Sequence, residues 1–141
     1  MRHETIVDIQ AGTDAVWPVL RDVADWPDWC ETVERVSLLG DGPFGVGARA
    51  RVKQPKMAEL TWEVTELAPD SSFTWRTKGP GYVIEGGHFL TPLADGGTRA
   101  RLTLDVTGPL APLLWLLTGS RTRRYVDREG ACLKRRCERT P

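Results

Sequence analysis

The segment Glu85-Gly86-Gly87-His88 carries the side chains of this sequence that are best suited to acid–base chemistry. His88 is one of two histidines, and an imidazole exchanges protons near neutral pH. Successive side chains of a strand point to opposite faces, but both faces of this segment are mixed in polarity. Two alternatives therefore stay open: His88 faces the interior, or Glu85 and Phe89 do. The two glycines leave room for a ligand or a bulge.

Other arrangements that carry chemistry are weak. His3 and His88 are far apart and have no partnering carboxylate motif, so we expect no metal site. No GxSxG motif is present, and Cys132 and Cys137 lie in a basic segment without a nearby histidine, which argues against a nucleophilic triad. The glycine-rich stretch 40–47 lacks the lysine of a phosphate-binding loop. We therefore expect neither a metal nor a cofactor.

Length, charge and cysteine content favour one cytoplasmic domain spanning residues 1–141. A chain of 141 residues fits a single domain, and 19 basic residues balance 19 acidic ones, which gives no global field to attract nucleic acid. The three cysteines are odd in number and form no CxxC pair, as in reduced proteins. The first residues lack the apolar stretch of a signal peptide. The longest apolar run, 110–117, is far shorter than the roughly 20 residues of a membrane span, so we expect no stable membrane insertion.

The stretch from Arg121 to Arg139 is locally basic but is interleaved with Asp127, Glu129 and Glu138. A face for nucleic acid or anionic lipid is one interpretation of these charges. The solvated outer face of a helix is the interpretation that we favour.

The elements that must position these groups begin with a strand, Thr5 to Gln10, and a short helix for which Thr13 is the expected N-cap. The segment 25–29 is typical of a second short helix or turn. Turn residues then separate a series of strands with period-two alternation, which favours consecutive antiparallel hairpins with one apolar face. These strands are predicted at Val33–Leu39, Ala48–Gln54, Leu60–Leu67, Ser72–Lys78, Tyr82–Leu93 and Thr98–Thr107.

The segment from Leu110 to Arg139 has a rough helical repeat of apolar residues and is predicted to cover the dry face of the sheet. Gly119-Ser120 is an expected kink. Between this helix and the sheet we expect a cavity lined by large apolar side chains. The expected ligand-binding residues are Trp62, Trp75, Phe89, Leu102, Leu104, Trp115 and Tyr125.

Several local patterns carry a resemblance to a known family. Ala15–Leu20 looks like its first helix, and Val23–Trp29 like its second, with the Trp-Pro-Asp-Trp pattern. Leu90–Leu93 with the turn 95–99 looks like its late hairpin, and Ala131–Arg135 like the end of its last helix. The chain resembles the START-like (SRPBCC) superfamily, in its polyketide cyclase/dehydrase and lipid-transport branch. The resemblance implies an α+β helix-grip fold, in which about seven antiparallel strands curve around a long C-terminal helix and two short helices follow the first strand.

The resemblance implies three kinds of function and does not choose among them. The first is binding of a hydrophobic small molecule such as a polyketide, lipid or isoprenoid. The second is a polyketide aromatase/cyclase, with His88 or Glu85 as the acid or base. The third is a protein-interaction module without a ligand. We rank binding first, leave catalysis open, expect no nucleic-acid partner, and note that an exposed sheet edge allows a homodimer.

Overall fold

The computed structural model describes residues 1–139, which form a seven-stranded antiparallel sheet and three α-helices. The predicted order of elements is confirmed, and only their ends shift by a few residues. The bounds are β1 Arg2–Ile9, α1 Thr13–Arg21, a 3-10 turn Val23–Asp25, α2 Trp26–Trp29, β2 Arg35–Leu39, β3 Arg49–Lys53, β4 Leu60–Ala68, β5 Ser72–Gly79, β6 Tyr82–Pro92, β7 Thr98–Thr107 and α3 Ala111–Glu138.

The sheet has the strand order β1-β7-β6-β5-β4-β3-β2, so β2 to β7 pair with their neighbours in the chain. This order follows from the short turns between them, which permit only antiparallel pairing of consecutive strands. The first strand closes the pattern by pairing with β7, with Thr5 opposite Leu102. A register shift between Val64 and Glu66 marks an irregularity where β4 meets β5.

One face of the sheet is buried, as the alternation predicts. Trp62 and Val64 of β4, Phe73 and Trp75 of β5, and Leu102 of β7 are all buried on the concave side. The intervening residues on the other side are mostly polar. A sheet with one dry face needs a cover, and the helices provide it.

The segment after β1 packs over one part of this concave face. Val16 and Leu20 of α1 are fully buried, and the Trp26 indole Nε1 donates to the carbonyl oxygen of Leu20 at 3.0 Å. The predicted N-cap at Thr13 is wrong: Gly12 occupies that position, and its carbonyl accepts the first backbone bonds of the helix. Thr13 is instead the first helical residue.

The long helix α3 lies across β1 and β7. The helix runs without a break from Ala111 to Glu138, through Gly119-Ser120, and the kink expected there stays a prediction. Gly130 sets its distance from the sheet, since a Cβ at this position would lie 3.0 Å from the Thr5 Cγ2 atom. The helix therefore approaches β1 closely at Gly130.

Candidate functional site

A cavity of about 80 Å³ lies between the concave face of the sheet and α3. It is lined mainly by apolar and aromatic side chains, with a few polar groups among them. This is the composition of small-molecule pockets, in which a few polar groups orient a mostly apolar ligand. The lining residues are Trp26, Val33, Val52, Gln54, Met57, Leu60, Trp62, Trp75, Ile84, Gly86, Gly87, His88, Leu102, Thr103, Leu104, Thr122, Tyr125, Val126 and Glu129.

The pairing of β6 with its neighbours decides which of its faces is inside. His88 lies opposite Phe73 of β5 and Leu102 of β7, both of which are buried. Residues directly opposite each other on paired antiparallel strands point to the same face. His88 therefore lies on the concave side and lines the cavity, whereas Glu85 is exposed on the other side.

The His88 ring is held in a fixed orientation. It stacks on Phe73 with ring centroids 4.1 Å apart, and its Nδ1 lies 3.2 Å from the Phe73 carbonyl oxygen. A carbonyl only accepts hydrogen bonds, so Nδ1 carries the proton and Nε2 is left as an acceptor. Burial lowers the pKa of His88 to about 4, so the imidazole is neutral at neutral pH.

Tryptophan side chains fill the space beside His88. The Trp26 ring lies 5.6 Å from that of His88 and 5.4 Å from that of Trp75, and Trp75 lies 5.5 Å from Trp62. Gly86 makes this packing possible, because a Cβ there would lie 3.1 Å from the Trp75 indole nitrogen. The aromatic wall is therefore closely packed, and it leaves only a small cavity.

Glu129 is the cavity residue that sequence reasoning missed. It projects from α3 into the cavity lining. Burial raises the pKa of Glu129 to about 7. Its interpretation as part of a solvated outer face is wrong for this position. The sequence did contain a pattern that predicts this placement. Glu129 follows Val126 by three residues and precedes Leu133 by four, so it lies on the apolar stripe of the helix.

A turn between β3 and β4 covers the cavity beside Tyr125. The Tyr125 hydroxyl donates to the Pro55 carbonyl oxygen at 2.5 Å, and the Arg121 guanidinium donates to the Lys56 carbonyl oxygen at 3.1 Å. Met57 of the same turn lines the cavity. These contacts tie the turn to α3 and close this side of the cavity.

The predicted site residues divide into two groups. His88, Trp62, Trp75, Leu102, Leu104 and Tyr125 are brought together around the cavity. Glu85, Phe89 and Trp115 do not line the cavity, so their predicted placement there is wrong. Glu85 and Phe89 lie on the convex face of the sheet, where the Arg101 guanidinium lies 4.5 Å from the centre of the Phe89 ring. Trp115 lies outside the lining because it packs against Gly119 on its own helix and beneath the Arg123 guanidinium. Helix rotation and strand register determine these placements.

A second cluster of reactive side chains joins α3 to the segment after α2. Cys30 Sγ, a Glu31 carboxylate oxygen and Cys132 Sγ all lie within 4.8 Å of one another. Cys30 also lies 3.1 Å from the Thr32 hydroxyl, and Arg128 pairs with Glu31. Burial raises the pKa of both thiols, that of Cys132 to about 12. Without a bound ion both thiols are protonated, and the Cys132 thiol lies 3.5 Å from a Glu31 carboxylate oxygen, so the three side chains form a hydrogen-bonded cluster.

Comparison with known proteins identifies the family. The family model for polyketide cyclase / dehydrase and lipid transport proteins matches residues 2–138. The chain belongs to this family. This confirms the resemblance seen in the short sequence patterns at both ends of the chain.

Solved structures of similar proteins have the same fold. The Zhui aromatase/cyclase from Streptomyces sp. R1128 aligns with a TM-score of 0.81 and 20% identity, over 99% of this chain and 94% of that one. The protein TTHA0849 from Thermus thermophilus aligns with a TM-score of 0.76 and 20% identity, over 97% of both chains. A START superfamily protein from Mycobacterium smegmatis aligns with a TM-score of 0.74 and 17% identity, also over 97% of both chains. No curated protein matches this sequence.

Family membership supports a hydrophobic ligand-binding or cyclase role. The similarity to the solved structures confirms the helix-grip fold. Within residues 1–139, each helix is too short or too polar to cross a membrane.

Proposed function

We propose that this protein binds a hydrophobic small molecule in the cavity between the sheet and α3. The observation that carries the proposal is a mainly apolar cavity with an ionisable group on each of two walls: His88 on the sheet and Glu129 on the helix. Removal of apolar ligand surface from water supplies the driving force, at about 25 cal/mol per Å² before the cost of association.

The hydrogen-bonding properties of His88 and Glu129 indicate which chemical groups the ligand carries. The unprotonated Nε2 of His88 accepts a hydrogen bond, so it suits a ligand hydroxyl. Glu129 has a pKa of about 7, so its protonated form donates to a ligand carbonyl and its ionised form accepts from a hydroxyl. We therefore infer an oxygenated apolar molecule, a description that covers polyketides, isoprenoid alcohols and many lipids.

The size of the cavity requires movement when the ligand enters. The cavity measures about 80 Å³, whereas a cavity known to bind benzene measures about 150 Å³. The turn at Pro55 and Lys56 is attached to α3 by two hydrogen bonds, from Tyr125 and Arg121. Its displacement would enlarge the cavity without disturbing the strands.

The test is native mass spectrometry of the purified full chain, followed by extraction and identification of bound molecules. We expect a discrete hydrophobic molecule, or thermal stabilisation by members of a panel of lipids and aromatic polyketides. Ile84→Phe, which adds volume at the cavity wall, should weaken this binding. Ile6→Phe at an exposed position of β1 is the matched control and should not. A clean apo mass with no stabilisation by any compound would reject the proposal in favour of an interaction module.

A second candidate function, acid–base catalysis of the aromatase/cyclase type, is favoured by the two displaced pKa values. The pKa of Glu129 is raised to about 7 and that of His88 is lowered to about 4. Titratable groups that line one cavity and have pKa values pushed apart are typical of acid–base sites, and a base is most effective with a pKa near the operating pH. A Glu129 carboxylate would remove a proton from a methylene between two carbonyls, and the carbanion would attack a carbonyl carbon of the same chain. The protonated Glu129 would return this proton to the alkoxide that forms. Glu129 would then take the remaining α-hydrogen and pass it to the departing hydroxyl, so that water leaves and a carbon–carbon double bond forms.

Variants of the two groups separate catalysis from binding. If the chain is a cyclase, Glu129→Gln should abolish turnover of a poly-β-keto substrate while the substrate still binds. The rate should rise as the pH rises through about 7, because the base must be ionised. His88→Ala should reduce turnover strongly in a cyclase but lower affinity only modestly in a binding protein. Unchanged turnover in both variants would reject the catalytic candidate.

A further inference from the structure

The outward face of α3 carries exposed leucines near its beginning. Leu113, Leu116 and Leu117 are 53%, 80% and 72% exposed, and Leu110 just before the helix is 48% exposed. At 3.6 residues per turn they share one side of the helix, opposite the stripe of Thr122, Val126 and Glu129 that faces the cavity. Adjacent exposed leucines on one helix face indicate an interaction surface.

Arginines follow these leucines on the same side of the helix. Arg121, Arg123 and Arg124 begin one turn after Leu117, or about 6 Å further along the axis. The sequence contains no aspartate or glutamate from 106 to 126. Within the described chain, no carboxylate lies within 4 Å of these three guanidinium groups. None of these three arginines therefore forms an ion pair within the described residues. The exposed Asp127, one turn beyond Arg123 and Arg124, is hydrogen-bonded to His3 instead.

We propose that this leucine–arginine face (Leu113, Leu116, Leu117, Arg121, Arg123 and Arg124) docks on the surface of an anionic phospholipid bilayer. The leucines would enter the boundary between headgroups and acyl chains, and the guanidinium groups one turn further along would reach the phosphates. Both halves of the face gain from this partner. A nucleic acid would satisfy only the arginines. A second copy packed through the leucines would satisfy only the leucines, because residues 106–126 offer no carboxylate to the partner's arginines.

The face adjoins the turn that closes the cavity. Arg121 belongs to the face and also donates to the Lys56 carbonyl oxygen, and Lys56 adds a further positive charge beside it. A docked protein would therefore present this turn to the membrane. The inference goes beyond the proposed function, because docking depends only on surface residues and not on what occupies the cavity.

The test is co-sedimentation of the full chain with vesicles of phosphatidylcholine, with or without phosphatidylglycerol, at low and at high salt. We expect binding only to vesicles with phosphatidylglycerol, and weaker binding in high salt. Arg121→Gln/Arg124→Gln should lower the partition coefficient about fivefold for each charge removed. Leu116→Ser/Leu117→Ser should lower it about tenfold or more, because two apolar side chains no longer leave water.

Matched substitutions elsewhere on the surface serve as controls. Leu38→Ser changes a leucine that is 50% exposed on β2, and Arg49→Gln changes an exposed arginine on β3, so neither should alter binding. Circular dichroism melts establish that each variant is folded. Absence of sedimentation with anionic vesicles, or equal losses in the control variants, would overturn the proposal. So would light scattering that shows a dimer of the native chain which Leu116→Ser/Leu117→Ser dissociates, since the occupant would then be a second copy.

Discussion

Substitution of Glu129 by glutamine tests the environment of the cavity carboxyl group directly. Glutamine has nearly the same shape as a protonated glutamate but cannot ionise. In the native protein Glu129 has a pKa of about 7, raised from 4.5 by burial. The variant should therefore differ from the native protein only where the native carboxyl is ionised.

The magnitude follows from the change in pKa between the folded and unfolded states. A rise from 4.5 to about 7 corresponds to about 3 kcal/mol, at about 1.4 kcal/mol for each pKa unit. Below about pH 4.5 the carboxyl is protonated in both states and has no effect on stability. Between about pH 4.5 and 7 the folded state retains the proton, so the free energy of unfolding falls as the pH rises. Because Glu129 keeps part of its surface accessible, about 3 kcal/mol is the upper limit.

The assay is urea unfolding of both proteins across this pH range. The free energy of unfolding of Glu129→Gln minus that of the native protein should rise from near zero at about pH 4.5 to as much as about 3 kcal/mol at about pH 8. Glu85→Gln on the convex face is the control and should show no such rise. A difference that stays constant with pH would show that the pKa of Glu129 is not raised in the folded protein.

Three further outcomes are expected. The pKa of His88 is lowered to about 4, so the native protein should lose stability as the pH falls below about 6.5, whereas ionisation of Glu129 costs stability as the pH rises. His88→Asn should lack this loss when urea unfolding is measured at acid pH. Tyr125→Phe removes the hydrogen bond to the Pro55 carbonyl oxygen, so it should lower the free energy of unfolding by about 1 kcal/mol in thermal melts. It should also speed the binding of a hydrophobic dye in stopped-flow measurements, and unchanged dye kinetics would contradict a closing role for the turn. Gly87→Ala brings a Cβ into steric conflict with the Thr103 hydroxyl, so it should lower stability by about 1–3 kcal/mol in urea unfolding, and an unaffected midpoint would show that the strand adjusts.

Glu129 and His88 change the stability of the native protein in opposite directions as the pH rises, which is why single variants are needed. Between about pH 4.5 and 6.5 one group lowers the stability of the native protein as the pH rises, and the other raises it. The native protein alone would show little net dependence from these two groups. Only the difference between each variant and the native protein separates them.

Local patterns in the sequence were sufficient for the fold. Alternation in β4, β5 and β7 identified their buried faces, because side chains of a strand alternate and one face must leave water. Short turns with glycine and proline between the strands required antiparallel neighbours. The cap of α1 was missed, because Gly12 takes that position and no side-chain hydrogen bond caps the helix.

The candidate site depended on contacts between residues that are distant in the chain, which no single segment of sequence shows. The sequence by itself placed Glu85 and His88 on opposite faces of one strand, and put Trp115, Tyr125 and Glu129 on one helix. Only the tertiary structure decided which of them face the cavity, through the pairing of His88 with Phe73 and the rotation of α3 about its axis. Strand register and helix rotation are set by contacts between residues distant in the chain, where burial of the whole apolar surface decides among alternatives that are locally equivalent. That is why the amphipathic stripe carries a carboxyl group into the interior, and why its pKa is raised.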